Sequence, residues 1–257
     1  MARVTRPLDL LVLRTGHTHP DILSRHGDYD QWLGTALAES GARLRVVHVP
    51  DTGMPLAGAA GAHGVLVTGS AASVLDDERW MRDLGGWLAE VAATTDGPPV
   101  LAICFAAQLA AAATGGRVAR HPRGWEIGTI EVGLTPDGQA DPIFAGVPNP
   151  FTVQATHEDA IVRLPGSARL LAANEHAPVQ AYRIGTRLHA VQFHPEGTAA
   201  LLGDLVHLRR PRLMDDARRH GAPDERAAAM AVDRIEDGLE DSPWGALILG
   251  NWLRLCG

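Results

Sequence analysis

One cysteine stands where a thiol can do chemistry. In "PPVLAICFAAQLAAAATGG", residues 98–116, an apolar run of strand length ends at Cys104, and an alanine-rich run of helical character begins at once. The first turn of a helix carries unpaired N–H groups and a partial positive charge, which favour a thiolate over a thiol. The same N–H groups can hold the oxyanion formed when a thiolate attacks a carbonyl, so the N–H of Phe105 is the first expected donor. The competing reading is a small buried residue at the end of a core strand. Nucleophile turns usually place glycine two residues before and after the reactive residue. Here those positions hold Ala102 and Ala106.

A nucleophilic cysteine needs a base and a group to orient it. "LHAVQFHPEG" supplies both, as an apolar strand ending in His194-Pro195-Glu196. Residues two apart on a strand share a face, so His194 and Glu196 are expected side by side, with Pro195 stiffening the link. A carboxylate against one imidazole nitrogen fixes the tautomer and leaves the other nitrogen for the thiol.

The elements that must position these groups follow from periodicity. Leu8–Leu13, Arg43–Val49, "GVLVTGS" (64–70, ending in a small-residue turn) and Val100–Ile103 read as strands, and residues 15–27 as a polar loop. Asp28–Ser40, Trp80–Val91 and Ala106–Thr114 read as helices, with Gly41 and Gly115-Gly116 as stops. This alternation predicts an α/β fold with a mostly parallel central sheet covered by helices on both faces. Beyond Gly116, short strand candidates follow at Ile127–Val132, Phe151–Gln154, Arg169–Ala173, Val179–Tyr182 and Leu188–Phe193. They are expected to add antiparallel edge strands to the same sheet. From Thr198 the chain reads as helical again, ending in a helix capped by Ser242 with Pro243 in its first turn. No repeat or linker interrupts the chain, so residues 1–257 are read as one domain.

Composition narrows the function classes. The chain has 257 residues, a formal net charge of −7 and 46% hydrophobic residues, which suits a globular enzyme with a sizeable core. An acidic surface speaks against nucleic acid and against anionic membranes. No apolar stretch reaches the length of a signal peptide core or a membrane span, and two distant cysteines imply no disulfide framework. The expected setting is the cytoplasm. "HTHPD" at His17–Asp21, with His26 nearby, fits no standard zinc spacing and reads as a polar loop, so no metal is expected. Arg209, Arg210, Arg212, Arg218 and Arg219 read as a solvated helix face balanced by Asp215, Asp216 and Glu225, with docking to an acidic partner as the alternative. Cys256 is assigned a structural place. No glycine-rich phosphate loop occurs, so no nucleotide or other cofactor is expected.

Taken in order, "HGDY" (26–29), "GVLVTGSAASVLDDERW" (64–80), "ICFAAQL" (103–109), "GWEIG" (124–128), "THED" (156–159) and "VQFHPEG" (191–197) resemble the class I, triad-type glutamine amidotransferases. The likeness is to stand-alone members similar to the glutaminase domain of GMP synthase and to γ-glutamyl peptidases. It implies a flavodoxin-like fold and hydrolysis of a γ-glutamyl amide through a γ-glutamyl thioester. Carried over by position, Cys104 matches the nucleophile, His194 the base and Glu196 its orienting carboxylate. The turn at Gly69 matches the second oxyanion donor, the N–H of Ser70. Gln108 matches a glutamine that contacts the bound glutamyl group. Trp125, Glu126, Ile127 and Gly128, with Thr156 and His157, match places that grip the substrate's amino and carboxylate ends. Glu126 is open to two readings, a partner for the substrate ammonium or an exposed loop carboxylate.

Two departures from the family pattern stand out. Ala102 and Ala106 replace glycines, at a cost of about 1–3 kcal/mol if the turn cannot relax. Ala107 replaces a residue that is often larger, which is expected to open the pocket wall. Three functions follow as expectations. The first is hydrolysis of glutamine, with ammonia passed to a separate synthetase partner. The second is a stand-alone γ-glutamyl hydrolase or peptidase acting on a small conjugate. The third is a non-catalytic binding relative.

Overall fold

Leu10–Leu13 are all at most 1% exposed, and their side chains divide between two apolar clusters, Leu10 and Val12 in one, Leu11 and Leu13 in the other. That alternation requires apolar cover on both faces of the strand. The computed structural model describes residues 7–54 and 61–257 and builds the cover from helices. Residues 1–6, including the two N-terminal arginines, lie outside the described residues.

The first half runs β1 (Asp9–Arg14), α1 (Pro20–His26), α2 (Tyr29–Ala36), β2 (Arg43–His48), α3 (Val49–Thr52), β3 (Gly64–Val67), α4 (Arg79–Ala93), β4 (Val100–Ile103) and α5 (Phe105–Ala113). The second half runs β5 (Arg117–Arg120), β6 (Glu126–Leu134), α6 (Pro136–Gln139), β7 (Phe151–His157), β8 (Asp159–Arg163), β9 (Ala168–Ala173), β10 (Ala181–Ile184), β11 (Leu188–Val191), α7 (Ala199–Arg219), α8 (Glu225–Asp237) and α9 (Trp244–Leu253).

Among the described residues, nine strands form one sheet in the order β2-β1-β3-β4-β11-β10-β9-β6-β7. β2 through β11 are mutually parallel, and β10, β9, β6 and β7 continue the sheet antiparallel. One face is covered by α2 and α9 through Leu33, Ile248, Leu249 and Trp252. The other is covered by α4 and α5 through Met81, Leu84, Leu88, Phe105 and Leu109. The mixed sheet with helices on both faces is therefore the predicted one. Among the described residues no helix is long and apolar enough to cross a membrane.

Local expectations needed revision in three places. Residues 15–27 are not all loop: Pro20 sits at the start of α1 and the His19 side chain accepts from the Asp21 N–H at 3.3 Å, closing its first turn. β5 and β8 pair in a separate two-stranded sheet, too short and too polar to stand out in the sequence. α9 begins one residue later than expected, at Trp244. Ser242 still accepts from the Trp244 N–H at 3.3 Å and donates to the Thr152 carbonyl at 2.5 Å.

Candidate active site

The central parallel strands end together at one edge, and Cys104 lies in the turn that leaves β4. Its N–H donates to the Val191 carbonyl of β11 at 2.8 Å, and its carbonyl accepts from the Gln108 N–H at 3.0 Å, so the residue joins strand and helix without a gap. The joint forces φ 50° and ψ −104° on a residue with a Cβ. Such a conformation costs of order 1–3 kcal/mol and persists only where its surroundings enforce it. Ala102 and Ala106 are fully buried here, so the elbow is built with alanines. Ala107 is also fully buried, its carbonyl accepting from the Tyr182 hydroxyl at 2.6 Å. It faces the core, which corrects the expectation that it opens a pocket wall.

The second group comes from the turn after β11. His194 and Glu196 are side by side, with Nδ1 2.7 Å from Glu196 Oε1. Strand alternation is not the cause, because β11 ends at Val191. The pairing comes from a tight turn, in which the Gly197 N–H donates to the His194 carbonyl at 3.1 Å and the His194 N–H donates to the Gln154 carbonyl of β7 at 2.7 Å. Both side chains are buried. Burial by itself would lower the His194 pKa, but the Glu196 carboxylate and a hydrogen-bonded interaction with Cys104 outweigh it and raise the value to about 10. The imidazole is therefore protonated at neutral pH beside the sulfur.

The third group is the turn after β3. The Gly69 carbonyl accepts from the Thr15 and Thr68 hydroxyls at 2.8 and 2.9 Å, and the Ser70 hydroxyl donates to the Thr15 carbonyl at 2.9 Å. In a trans peptide the N–H points opposite to the carbonyl, so the clamp on Gly69 fixes the direction of the Ser70 N–H. Among the described residues neither this N–H nor that of Phe105 has an acceptor. A Cβ at Gly69 would lie 2.9 Å from His194 Cε1 and 3.6 Å from Cys104 Cβ, so the glycine is what lets the three groups converge.

A cavity of about 560 Å³ opens beside them, lined by Cys104, Phe105, Ser70, Gln108, Trp125, Thr156 and His157 among others. Gln108 is buried and donates to the Asp159 carbonyl at 2.8 Å and to Gln192 Oε1 at 3.1 Å. Gln192 in turn donates to Cys104 Sγ at 3.6 Å. Glu126, Ile127 and Gly128 are not in the cavity wall. Glu126 is neither exposed nor in a loop: it lies buried on β6, and its carboxylate takes hydrogen bonds from His157 (2.8 Å), Gln180 (2.6 Å) and Asn174 (2.7 Å). Burial alone would raise its pKa, but these donors bring the value below the usual carboxylate range. It braces His157 from behind. Ile127 packs with Leu201, Leu205 and Val232, and Gly128 backs onto Ile235 of α8.

Sequence reasoning missed three groups. Gln192 is a polar residue interrupting an apolar strand run, which was a usable signal. Thr15 carried none. Arg209 was read as part of a solvated face, and that reading is corrected. Its guanidinium lines the cavity, stacks 5.3 Å from the Trp125 ring centre and donates to Thr156 Oγ1 at 2.5 Å. Burial, with Arg212 nearby, holds its pKa below the usual value. Among the described residues no carboxylate lies within ion-pair distance of it, whereas Arg120 and Arg212 in the same wall both pair with Glu158.

Residues 23–206 match the family model for glutamine amidotransferase class I, and the chain belongs to that family. A GMP synthase (glutamine-hydrolysing) from Aeropyrum pernix is 35% identical over 174 residues, which are 66% of this chain and 31% of the relative. Gamma-glutamyl peptidase 3 of Arabidopsis thaliana is 29% identical over 148 residues, 56% of this chain and 58% of the relative. The chain thus spans less than two thirds of either relative's length. Among solved structures, a glutamine amidotransferase from Thermotoga maritima superposes with a TM-score of 0.69 at 19% identity, covering 98% of this chain and 99% of that one, which shows the fold.

Proposed function

We propose that the chain, acting as one domain, hydrolyses a γ-glutamyl amide, with Cys104 as nucleophile, His194 as acid–base and Glu196 as its orienting group. One observation carries the reading. A cysteine held at positive φ on a helix N-terminus meets a carboxylate-oriented, protonated imidazole at the wall of a cavity. The thiol proton rests on His194, and the thiolate attacks the γ-carbonyl to form a C–S bond. The N–H groups of Phe105 and Ser70 hold the oxyanion. Collapse breaks the C–N bond and the leaving amine takes the proton from His194. Water then gives a proton to His194 and its oxygen to the acyl carbon, and the thiolate leaves with glutamate as product. Thr156, His157, Trp125 and Gln108 form the surrounding wall, and Glu126 acts on it through His157. The unpaired thiols of Cys104 and Cys256 fit a reducing cytoplasm.

Two substrates fit this chemistry. One is glutamine, whose ammonia would pass to a separate synthetase. The other is a γ-glutamyl conjugate of the kind named for the Arabidopsis relative. Arg209 favours the second, because among the described residues its half-buried guanidinium meets the Thr156 hydroxyl but no carboxylate, and is suited to one on a substrate. The cavity lies within the range typical of small-molecule sites, roughly 300–1,000 Å³, which leaves room for either. The test measures ammonia release from glutamine and amino-acid release from γ-glutamyl dipeptides, with wild type and Cys104→Ala. Release by wild type and none by the variant is expected. Equal release by both would overturn the proposal.

A further inference from the structure

We propose that His17, His48 and Asp51 form a binding site for one divalent transition-metal ion, Zn²⁺ being the best match, at the rim of the catalytic cavity. Their ligand atoms all lie within 4.8 Å of one another. They come from three places: the loop after β1, the last residue of β2 and the short helix α3. Linear spacing therefore hides the set. The other histidines of "HTHPD" and its neighbour are engaged elsewhere, His19 at the start of α1 and His26 with Asp204 at 2.7 Å.

Three observations support a metal over a chance cluster. The first is the tautomer of His17. Nδ1 lies 2.6 Å from Asp28 Oδ2, a carboxylate also occupied in capping α2 through the Tyr29 N–H at 3.0 Å. An imidazole that gives Nδ1–H to a carboxylate presents a bare Nε2 lone pair, the arrangement found around ligating histidines. The second is His48. Both of its ring nitrogens are buried and neither makes a hydrogen bond, although Nδ1 lies 2.8 Å from Asp51 Oδ2. Buried polar atoms normally find partners, so this ring is set up for an acceptor of its lone pair. The third is ring geometry. Two imidazoles bound at 2.0–2.1 Å in a tetrahedral shell place their centres about 5 Å from each other, so these two rings need to part only slightly. The His17 and His48 centres are 4.4 Å apart.

Two neutral imidazoles and one carboxylate leave coordination positions open, a donor set that suits Zn²⁺ and excludes a preference for Ca²⁺ or Mg²⁺. Closing the set requires side-chain movement, and Asp51, the most exposed of the three, has the most room for it. His17 lines the catalytic cavity, and Thr15, two residues earlier, clamps the Gly69–Ser70 peptide. A bound ion would thus tie the loop carrying the oxyanion clamp to β2 and α3.

The test uses the full chain stripped with a chelator and titrated with Zn²⁺ by calorimetry and with Co²⁺ by visible absorption. One ion per chain is expected, with a rise in Tm on binding. His48→Ala should weaken affinity at least tenfold and abolish the Tm rise. His176→Ala, in the separate stacked pair with His121, should leave binding as in wild type. Asp51→Asn sits on the surface and provides a second weakened variant if His48→Ala fails to fold. No saturable binding, or binding of unchanged affinity in both His48→Ala and Asp51→Asn, would overturn the assignment.

Discussion

Gly69→Ala adds one methyl group at the place where the proposed nucleophile, base and oxyanion turn converge. The new Cβ would stand 2.9 Å from His194 Cε1 and 3.6 Å from both Cys104 Cβ and Tyr29 Cε1. Carbon atoms in contact settle near 3.5–4.0 Å, so the imidazole must retreat by about half an ångström or more. It has little freedom to do so. Nδ1 is fixed by Glu196 at 2.7 Å, and the backbone of His194 is pinned to Gln154 at 2.7 Å. Misplacement by about 1 Å can cost roughly 100-fold in rate, so a 10- to 100-fold fall in kcat/KM is expected. Overpacking should cost only about 1–3 kcal/mol of stability. Steady-state hydrolysis and thermal melting would be measured beside Gly86→Ala on α4. An added Cβ there meets nothing within 4 Å and should leave hydrolysis unchanged while stabilising the helix by about 0.5–1 kcal/mol. Wild-type rates in folded Gly69→Ala would refute the convergence of the three groups.

The remaining predictions concern charge. Glu196→Gln removes the principal group that raises the His194 pKa and leaves burial, which lowers it. The alkaline limb of the pH–rate profile, set near 10 in wild type, should therefore move to lower pH, and an unmoved limb would contradict the assignment. Because the folded-state value exceeds the ordinary 6.5, protonation of His194 supports the fold fully below about pH 6.5 and ceases to do so as pH rises through about 10. The Tm difference between wild type and Glu196→Gln should shrink over that window. Arg209→Met removes one charged hydrogen-bond donor, worth about 1.5–3 kcal/mol, or about 10- to 150-fold, and KM should absorb most of the loss. Arg209→Lys should recover part of it, and an unchanged KM in both variants would remove Arg209 from substrate recognition.

The parts of the fold legible in the sequence were those governed by long apolar runs. β1, β3 and β4 are buried on both faces, and continuous Leu, Val and Ile leave one reading. Cys104 was legible because a strand-to-helix change is local, and the His194–Glu196 pairing because the residues are two apart, although a turn rather than a strand brings them together. What remained hidden depends on tertiary contact. Nothing in "LVHLRRPRLMDDARR" tells which arginine turns inward: Arg209 does so because Trp125, just before β6, and Thr156 of β7 meet it. Glu126, in a segment bounded by Gly124 and Gly128, left two readings open, a partner for the substrate ammonium or an exposed loop carboxylate. Its burial rests on Gln180 and Asn174, about fifty residues away. His17 and His48 met only through the parallel pairing of β1 with β2, which brings Arg14 opposite His48.

The central claim is that Cys104 becomes acylated. A diazoketone analogue of glutamine, whose electrophilic carbon occupies the place of the γ-amide, should alkylate the protein once per chain, with peptide mass spectrometry placing the adduct on Cys104. Cys256 should remain unmodified, since its thiol is buried and its pKa is pushed up to about 12 by desolvation. Complete labelling of Cys104 that parallels loss of hydrolysis is the predicted result. Hydrolysis that survives complete labelling of Cys104, or an adduct found only on Cys256, would contradict the account.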